Sequence, residues 1–364
     1  MLGRKTLAVL CAAELVLIAI VLLWKRLDGL DLDVYRLGAQ AFFTHGDPYG
    51  VLPPTRDGTR LPFTYPPFAA LVFAPLLTVP PQVALIALTV VSVVALGAVL
   101  ALCLGRFGPL VLVAQAVALF SEPVRATLGF GQVNILLMLL VAVDVLAFRR
   151  RGYLVGLAAA VKLTPLAFVL FFFVRRDFRA AARALGTFAG CAVLTWLIAP
   201  DASEEYWTSL VFQGDRIGDP GYIGNQSLRG LLARLDLGQG WWLLAAVLVL
   251  AATAYAIRRA RDEVPALLVC AVGALLVSPV SWTHHWVWVA PAIALLYAKR
   301  RWWAAVPLTI VFVVSPVWDF SFWPLRESYV LAGLLLALAL HDVLDARRQR
   351  GDVVRLDRGE HADA

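Results

Sequence analysis

Long apolar stretches alternate with short polar, often arginine-rich segments along almost the whole chain. About 20 apolar residues are enough for a helix to cross a bilayer, and several stretches approach that length. The pattern predicts an all-α polytopic membrane protein with about 10 to 12 transmembrane segments, some of them short or broken. The predicted spans are 7–24, 83–104, 110–120, 133–148, 153–174, 180–199, 241–257, 264–279, 285–297, 302–317 and 329–343.

Composition supports this class. The chain of 364 residues is 61% hydrophobic and only 16% charged, whereas soluble domains are about a quarter charged. We therefore expect one integral membrane domain over 1–345 and a polar cytoplasmic tail over 346–364. The first span is followed by Lys25 and Arg26 instead of small residues, which favours an uncleaved helix over a signal peptide.

The net charge of +7 comes from basic clusters between apolar runs and forms no continuous patch, which argues against nucleic-acid binding. The four cysteines lie in apolar segments without the spacing of a disulfide framework or a zinc site. No phosphate-binding loop is present, which argues against nucleotide-driven transport. We expect neither a metal nor a cofactor.

Basic clusters predict the orientation, because loops rich in Lys and Arg stay in the cytoplasm. These clusters are Arg4 with Lys5, Arg106, 149–151, Arg175 with Arg176, Arg179 and Arg183, Arg258 with Arg259 and Arg261, 299–301 and the tail from Arg347. The opposite, extracytoplasmic side then receives the loops 25–65, 121–131, 200–240, 281–284 and 318–328. The chain is thus predicted as a multi-pass protein of the cytoplasmic membrane with both termini inside.

The segment 153–174 breaks this alternation, because arginine clusters flank it at both ends although its length suits one crossing. Lys162 and Pro165 place a charge and a helix breaker at its centre. We predict two half-helices that enter the membrane partway and return, presenting Lys162 to a cavity. The alternative is that one arginine cluster faces outward. A second short piece, the proline-bounded run 66–81, fits a helix in the outer interface.

Polar residues gather at the predicted outer ends of the spans, which describes an outward-facing polar cavity above Lys162. A carboxylate there can accept a proton from a hydroxyl nucleophile, and cationic groups can stabilise a departing phosphate. Group transfer from a lipid-linked phosphate fits this combination. The residues in question are Asp31, Asp33, Tyr35, Tyr65, Arg125, Gln132, Asn134, Asn225, Gln226, Arg229, His284 and His285.

Six motifs in this order resemble the polyprenol-phosphate-mannose-dependent α-1,2-mannosyltransferases, glycosyltransferase family 87 of the membrane-embedded GT-C superfamily. They are DLDVY (31–35), FTYPPF (63–68), GQVN (131–134), VKLTP (161–165), NQS (225–227) and SPVSWTHHW (278–286). The resemblance implies inverting transfer of mannose from polyprenyl-phosphate mannose to a lipid-linked glycan or glycolipid outside the membrane, in lipoglycan or glycolipid synthesis. It also implies that Asp31 is the general base and that neither a nucleotide nor an obligatory metal is needed.

The candidate site divides into three roles. Asp31 is the expected base and Asp33 the alternate, because two acids two residues apart point to different sides of an extended loop. The donor phosphate is assigned to Lys162, His284, His285, Arg125 and Arg229. Sugar and acceptor contacts are assigned to Tyr35, Tyr65, Gln132, Asn134, Asn225 and Gln226.

Plainer explanations stay open for most of these residues. The acids can be helix caps or solvated charges, and Gln132 and Asn134 can cap the helix that begins beside them. His284, His285 and the tyrosines can belong to the aromatic belt of the membrane interface. For the whole chain, the alternatives are an arabinofuranosyltransferase using decaprenyl-phosphate arabinose, a secondary transporter or lipid flippase, and a non-catalytic scaffold. A transporter predicts related halves, and none are visible.

Overall fold

The computed structural model describes residues 4–23, 27–105 and 108–359, and the regular secondary structure in these ranges is helical. Within them the only extended pairing is an isolated antiparallel bridge between Asn225 and Trp282. The α-helices are α1 (Arg4–Leu22), α2 (Leu30–His45), α3 (Pro67–Phe73), α4 (Pro81–Leu104), α5 (Gly108–Phe120), α6 (Glu122–Phe130), α7 (Asn134–Leu146), α8 (Tyr153–Val161), α9 (Phe168–Val174), α10 (Phe178–Ile198), α11 (Pro200–Thr208), α12 (Leu228–Arg234), α13 (Gln239–Arg259), α14 (Glu263–Val277), α15 (Val289–Ala298), α16 (Trp302–Val314), α17 (Trp323–Arg326) and α18 (Ser328–Gly359). Short 3-10 helices cover Ala74–Thr78, Thr164–Ala167, Leu210–Phe212, Gly214–Arg216 and Thr283–Trp288.

The predicted apolar spans correspond to helices, and local residues explain where these begin. Pro81 opens α4, a position where the missing backbone N–H costs nothing. Asp177 caps α10, accepting a hydrogen bond from the backbone N–H of Ala180 at 3.0 Å. The predicted span ending at Trp24 reaches outside the described residues, as do Lys25, Arg26 and Arg106.

Three of the described helices, α4, α10 and α13, are long and apolar enough to cross a membrane. Residues 110–120 and α6 make a further candidate, a pair bent by 70°. The shorter apolar helices cover Ala12–Leu22, Pro67–Thr78, Asn134–Leu146, Thr164–Val174, Glu263–Val277, Trp302–Val314 and Ser328–Val343. This is the architecture of a polytopic membrane protein, and the count of 10 to 12 crossings stays a prediction. The boundary at 346 falls inside α18, which runs on to Gly359.

Three of the predicted cytoplasmic clusters, in 149–151, 175–183 and 258–261, meet at one end of the molecule, which we call the basic end. Arg151 forms a salt bridge with Glu263 at 2.6 Å, and Arg175 donates a hydrogen bond to the carbonyl of Ala260 at 2.6 Å. Arg183 donates a hydrogen bond to the carbonyl of Arg151 at 2.7 Å. Because Arg151 precedes α8 and Arg175 follows α9, the segment between them begins and ends at the basic end, as the prediction for 153–174 requires.

The predicted outer loops meet one another at a second end, which we call the loop end. Arg216 donates a hydrogen bond to the carbonyl of Tyr49 at 2.7 Å. Asn225 pairs with Trp282, and Gln226 donates a hydrogen bond to the carbonyl of Arg326 at 3.1 Å. Helices α10 and α13 join the two ends, and their 21 residues each span about 32 Å, close to the hydrocarbon thickness.

The segment carrying the two acids is a helix, so the expectation of an extended loop at 31–35 is wrong. Gly29 before α2 and Gly46 after it both have left-handed backbone conformations, with φ of 71° and 73°. Between them α2 buries one face. The flanking glycines and the charges suggest a loop, but burying one apolar face stabilises a helix here. The short piece after 66 is also helical, and its α3 packs on α2, α8 and α10.

Candidate active site

Asp31 lies in the first turn of α2, partly buried against the turn between α6 and α7. The N–H of Gly29 donates a hydrogen bond to the carbonyl of Gly129 at 2.9 Å, which ties the start of α2 to the end of α6. Gly131 has φ of 67°, and a Cβ atom there would lie 2.9 Å from the Cβ of Leu32. Only glycine allows this approach, which brings the Gln132 side chain to hydrogen-bond Asp31.

Two buried tyrosines hold Gln132 in place. The Tyr35 hydroxyl donates a hydrogen bond to Oε1 of Gln132 at 2.7 Å, and Nε2 of Gln132 donates one to the Tyr65 hydroxyl at 3.3 Å. The Tyr65 hydroxyl in turn lies 3.3 Å from the Tyr35 hydroxyl. The Tyr35 ring stacks on Phe73 with 4.2 Å between ring centroids. This network orients the amide that contacts Asp31.

Lys162 sits where the predicted broken helix is interrupted. Its backbone is extended, with φ of −148° and ψ of 130°, between the end of α8 and the 3-10 helix that contains Pro165. Nζ of Lys162 donates a hydrogen bond to Oδ1 of Asn134 at 2.9 Å and lies 3.1 Å from Nε2 of His285. It also lies 5.7 Å from the centre of the Tyr65 ring. The break therefore directs the ammonium group into the cluster around Asp31.

The two histidines enter from the 3-10 helix Thr283–Trp288. The backbone carbonyl of His284 accepts hydrogen bonds from Oγ1 of Thr127 at 2.8 Å and Nδ2 of Asn134 at 3.0 Å. The two imidazole rings meet edge to face, with centroids 4.8 Å apart. Within the described part of the chain, Nε2 of His284 is buried and makes no hydrogen bond. Nε2 of His285 faces the ammonium group of Lys162.

The electrostatics of Asp31 suit a base. Burial raises the pKa of its carboxyl group to about 6, while the Gln132 hydrogen bond and the charge of Lys162 lower the pKa. The charge of Lys162 favours the ionised carboxylate, and burial makes that carboxylate more basic. With a pKa of about 6 the group is ionised near neutral pH and can still accept a proton.

Asp33 lies outside this cluster, although it is only two residues away. Its carboxylate accepts two hydrogen bonds from Nε of Arg56 at 2.8 Å and one from the backbone N–H of Arg56 at 3.0 Å. Arg56 also donates a hydrogen bond to the carbonyl of Asp28. Asp33 therefore ties the loop after α2 to that helix, and the structure gives no support to its assignment as an alternate base.

The structure brings neither Arg125 nor Arg229 to Lys162. Arg125 is exposed on α6, where its charge acts on Glu122 and Tyr329. Arg229 lies on α12, with its guanidinium 5.6 Å from the Trp242 ring, in a separate pocket. Their assignment to the donor phosphate alongside Lys162 has no geometric support.

The amides of Asn225 and Gln226 bind backbone, so their assignment to the acceptor is corrected. Both side chains are fully buried. Asn225 donates hydrogen bonds to the carbonyls of Pro220 and Pro279 and accepts one from the N–H of Ser281. Gln226 donates to the carbonyls of Ile223 and Arg326 and accepts from the N–H of Tyr329. The contacts of Asn225 with Pro279 and Ser281 position the segment that leads to His284.

Two further alternatives are also wrong. Gln132 and Asn134 do not cap α7, whose N-cap is Val133. The Gln132 amide hydrogen-bonds Tyr35 and Tyr65 instead. The Asn134 amide hydrogen-bonds Lys162 and the carbonyl of His284. Tyr35 is completely buried, so neither a sugar nor the membrane interface touches its ring. These residues shape the site from inside.

Several residues that shape the site were not among the candidates predicted from the sequence. Thr127 positions His284, and Arg56 neutralises Asp33. Glu122 accepts hydrogen bonds from Thr283 at 2.9 Å and from the Tyr329 hydroxyl at 2.8 Å, next to the histidines. Glu122 lies inside the predicted outer loop 121–131, and its charge there could have marked it as a candidate site residue. Among the residues described, no three His, Cys, Asp or Glu side chains are grouped as metal ligands.

A carboxylate, an ammonium group and two imidazoles thus converge within an all-helical membrane protein. This fold and this cluster fit the class of membrane-embedded group-transfer enzymes.

Comparison with known proteins is consistent with that class. Residues 63–279, more than half of the chain, match the family described as glycosyltransferase family 87. The chain belongs to glycosyltransferase family 87 and is a hexosyltransferase.

Among its relatives, a polyprenol-phosphate-mannose-dependent alpha-(1-2)-phosphatidylinositol mannoside mannosyltransferase of Mycobacterium tuberculosis is 39% identical over 79% of this chain and 75% of its own length. The protein of the same name from Mycolicibacterium smegmatis is 38% identical over 79% of this chain and 75% of its own. A pentamannoside mannosyltransferase of Mycolicibacterium smegmatis is 35% identical over 85% and 82% of the two chains. No solved structure shows a significant match.

Proposed function

We propose that this protein transfers a mannosyl residue from polyprenyl-phosphate mannose to a glycolipid of the phosphatidylinositol mannoside type, with inversion and with Asp31 as the general base. The names of the relatives support both the donor and the acceptor class. They do not support arabinose as the transferred sugar, nor a transporter.

The observation that carries the proposal is the convergence of Asp31 with Lys162 and His285. These residues lie in α2, in the broken segment between α8 and α9, and in the 3-10 helix before α15. Gln132 contacts Asp31 on one side, and Asn134 contacts Lys162 on the other. A base and a cationic phosphate-binding group at adjacent positions are what transfer from a lipid phosphate needs.

The chemistry at this site balances without a further reactant. Asp31 takes the proton of an acceptor hydroxyl as its oxygen bonds to the anomeric carbon of the donor sugar. The bond between that carbon and the phosphate oxygen breaks, and its electron pair leaves with polyprenyl phosphate. Lys162 stabilises the departing charge, and the imidazole rings of His284 and His285 lie beside it.

We also propose a GT-C type architecture in which the site opens to the extracytoplasmic side of the cytoplasmic membrane. The arginines of the basic end favour the cytoplasm. Lys162 lies one nine-residue helix, about 14 Å, from that end, near the middle of a bilayer core of about 30 Å. A lipid-borne phosphate reaches that depth through a polar opening at the loop end.

The test is transfer by purified Asp31→Asn enzyme from polyprenyl-phosphate mannose to a phosphatidylinositol mannoside. Loss of general-base catalysis is expected to lower turnover by about 100-fold or more, while the KM for the donor stays within a few-fold. Asp33→Asn is the matched control, since it makes the same change two residues along α2 outside the cluster. Near-native turnover in Asp31→Asn together with loss in Asp33→Asn would reassign the base.

A further inference from the structure

Three aromatic side chains at the loop end, Tyr222, Trp282 and Trp318, form a cluster that we call the aromatic patch. The Tyr222 ring meets the Trp282 ring edge to face, with 5.8 Å between the ring centroids. It lies 6.4 Å from the Trp318 ring, and the two ring planes are inclined by 54°. Tyr222 stays 51% exposed and Trp318 stays 44% exposed. Exposed aromatic clusters mark places where a ligand or a membrane binds.

Two glycines let the backbone pack closely against these rings. At Gly224 a Cβ atom would lie 2.7 Å from Cε1 of Tyr222 and 3.1 Å from Cη2 of Trp318. At Gly218, which has a φ of 140°, a Cβ atom would lie 3.0 Å from Cη2 of Trp282. Larger residues at these positions would displace the rings. The patch is therefore held in place by its own loop backbone.

The polar end of Trp318 is turned toward the protein. Its Nε1 donates a hydrogen bond to Oε1 of Glu122 at 3.4 Å, and the same oxygen accepts a hydrogen bond from Oγ1 of Thr283 at 2.9 Å. Tryptophans of the membrane interface instead keep their polar end in the wet headgroup region. Because the indole N–H of Trp318 is engaged by a carboxylate, the exposed part of this side chain is mainly carbon surface.

The patch adjoins the candidate active site through the segment that carries the histidines. The backbone N–H of His285 donates a hydrogen bond to the carbonyl of Trp282 at 2.8 Å. Arg125, exposed on α6, acts by its charge on Glu122, which lies under Trp318. A ligand on the patch would therefore contact aromatic carbon, have a guanidinium group nearby and lie beside the histidines.

Such a surface suits a sugar better than an acyl chain. The faces of a hexose ring carry C–H groups that pack on aromatic carbon, while its hydroxyl groups need polar partners at the edge. An acyl chain has only apolar atoms and gains nothing from charged neighbours. Because the patch lies beside the reacting centre and not in it, it fits a sugar unit next to the one that reacts.

We propose that the aromatic patch binds a sugar unit of the acceptor glycan and so holds the reacting sugar near Asp31. The inference rests on the proposed transfer of mannose to a glycolipid. It gives Tyr222 and Trp318 a role on the acceptor side, separate from that of Lys162, which serves the donor phosphate.

The experiment measures two KM values with the full-length enzyme in detergent, one for a phosphatidylinositol mannoside and one for polyprenyl-phosphate mannose. Trp318→Leu keeps an apolar side chain but removes the ring, and it should raise the acceptor KM about tenfold, the effect of losing one buried aromatic contact. Trp318→Phe keeps a ring and loses the hydrogen bond to Glu122. Its acceptor KM should stay within about threefold of wild type. Tyr222→Leu removes the neighbouring ring and should act like Trp318→Leu. The donor KM stays unchanged in all three variants.

Trp323→Leu is the matched control, because Trp323 is 46% exposed in the same segment between α16 and α18 but lies outside the patch. It should change neither KM. If Trp318→Phe were as harmful as Trp318→Leu, the hydrogen bond to Glu122 would matter and not the ring. An increased donor KM, or equal effects of Trp318→Leu and Trp323→Leu, including no effect of either, would likewise overturn the proposal.

A binding measurement separates this proposal from the proposed function. Mannobiose, a free probe of two sugar units, is expected to bind the wild-type protein and Trp323→Leu in an NMR titration. It should bind Trp318→Leu about tenfold more weakly. That result supports the patch even if no mannose is transferred. Equal binding by the three proteins, or binding by none of them, would refute the sugar site and leave the transfer reaction untouched.

Discussion

Asp31 and Asp33 point about 200° apart on α2, because each residue of an α-helix advances by about 100°. One carboxylate faces Gln132 and Lys162, and the other faces Arg56. The two acids therefore have different partners and different electrostatics. At this scale the site works through a carboxylate whose proton affinity is set by burial and by one neighbouring cation.

The pH dependence of transfer should report Asp31. Burial raises the pKa of this carboxyl group to about 6, and only the ionised form accepts a proton. We expect kcat/KM to fall about tenfold per pH unit below pH 6 and to level off above it. Asp33→Asn should give the same profile. A profile that is flat between pH 4.5 and 7 would contradict the assignment of the base.

The Asp33–Arg56 pair should matter for stability instead. Asp33 is buried and Arg56 is half-exposed, and the pair closes the loop after α2. Asp33→Asn is expected to lower the free energy of unfolding by about 1 to 3 kcal/mol, the value of hydrogen bonds to a charged group. The measurement is the unfolding midpoint in detergent, with transfer per folded molecule within about threefold of wild type. A loss of turnover as large as in Asp31→Asn would argue against this division of roles.

Two interruptions between helices build the site at the scale of elements. The break after α8 leaves Lys162 in an extended conformation that aims its ammonium group at Asn134. The tight turn at Gly131 brings Gln132 against α2. Both depend on a residue type that a regular helix disfavours, proline at 165 and glycine at 131.

Gly131→Ala tests the turn. The substitution imposes the strain of a left-handed conformation and pushes a methyl group against Leu32. Gly46→Ala is the matched control, because Gly46 has a similar φ of 73° and open space around its Cβ position. We expect Gly46→Ala to cost about 1 to 2 kcal/mol of stability with turnover retained. Gly131→Ala should cost more and also lower turnover, measured by unfolding and transfer assays. Equal behaviour of the two variants would mean that the contact with Leu32 is unimportant.

At the scale of the whole molecule, charged contacts divide between two ends. The basic end joins the start of α8 to the end of α9 through the turn between α13 and α14. The loop end brings together segments that are far apart in the sequence, such as those of Tyr49, Asn225 and Arg326. Helices α10 and α13 set the distance between the ends.

Cysteine labelling tests this orientation in cells. In a variant without the four natural cysteines, Arg150→Cys and Arg179→Cys lie at the two ends of the broken segment. Both should react with a membrane-impermeant maleimide only after permeabilisation. Val51→Cys, on a side chain that is 91% exposed at the loop end, should react in intact cells. Labelling of Arg150→Cys but not Arg179→Cys from outside would show a full crossing between them.

Much of this architecture was predictable because it follows from local pattern. Apolar length located the spans, and the arginines beside 153–174, with Lys162 and Pro165, indicated a broken segment. The family motifs pointed to Asp31, Lys162 and the histidines as one site. The hydrogen-bond partners of individual side chains were not predictable. No pattern around Asp33 indicates that it pairs with Arg56, and none around Asn225 indicates that its amide binds the carbonyls of Pro220 and Pro279.

The sequence by itself determined the membrane character, the helical spans and the chemical types present at the site, since these depend on hydropathy and on side-chain chemistry. Only the tertiary structure decided which acid faces the cluster, which amides bind backbone groups, and which arginines lie away from Lys162. Those choices depend on contacts between separate segments, some of them more than a hundred residues apart, such as His285 with Lys162 and Arg216 with Tyr49. Close packing selects among such contacts, and no local pattern encodes them.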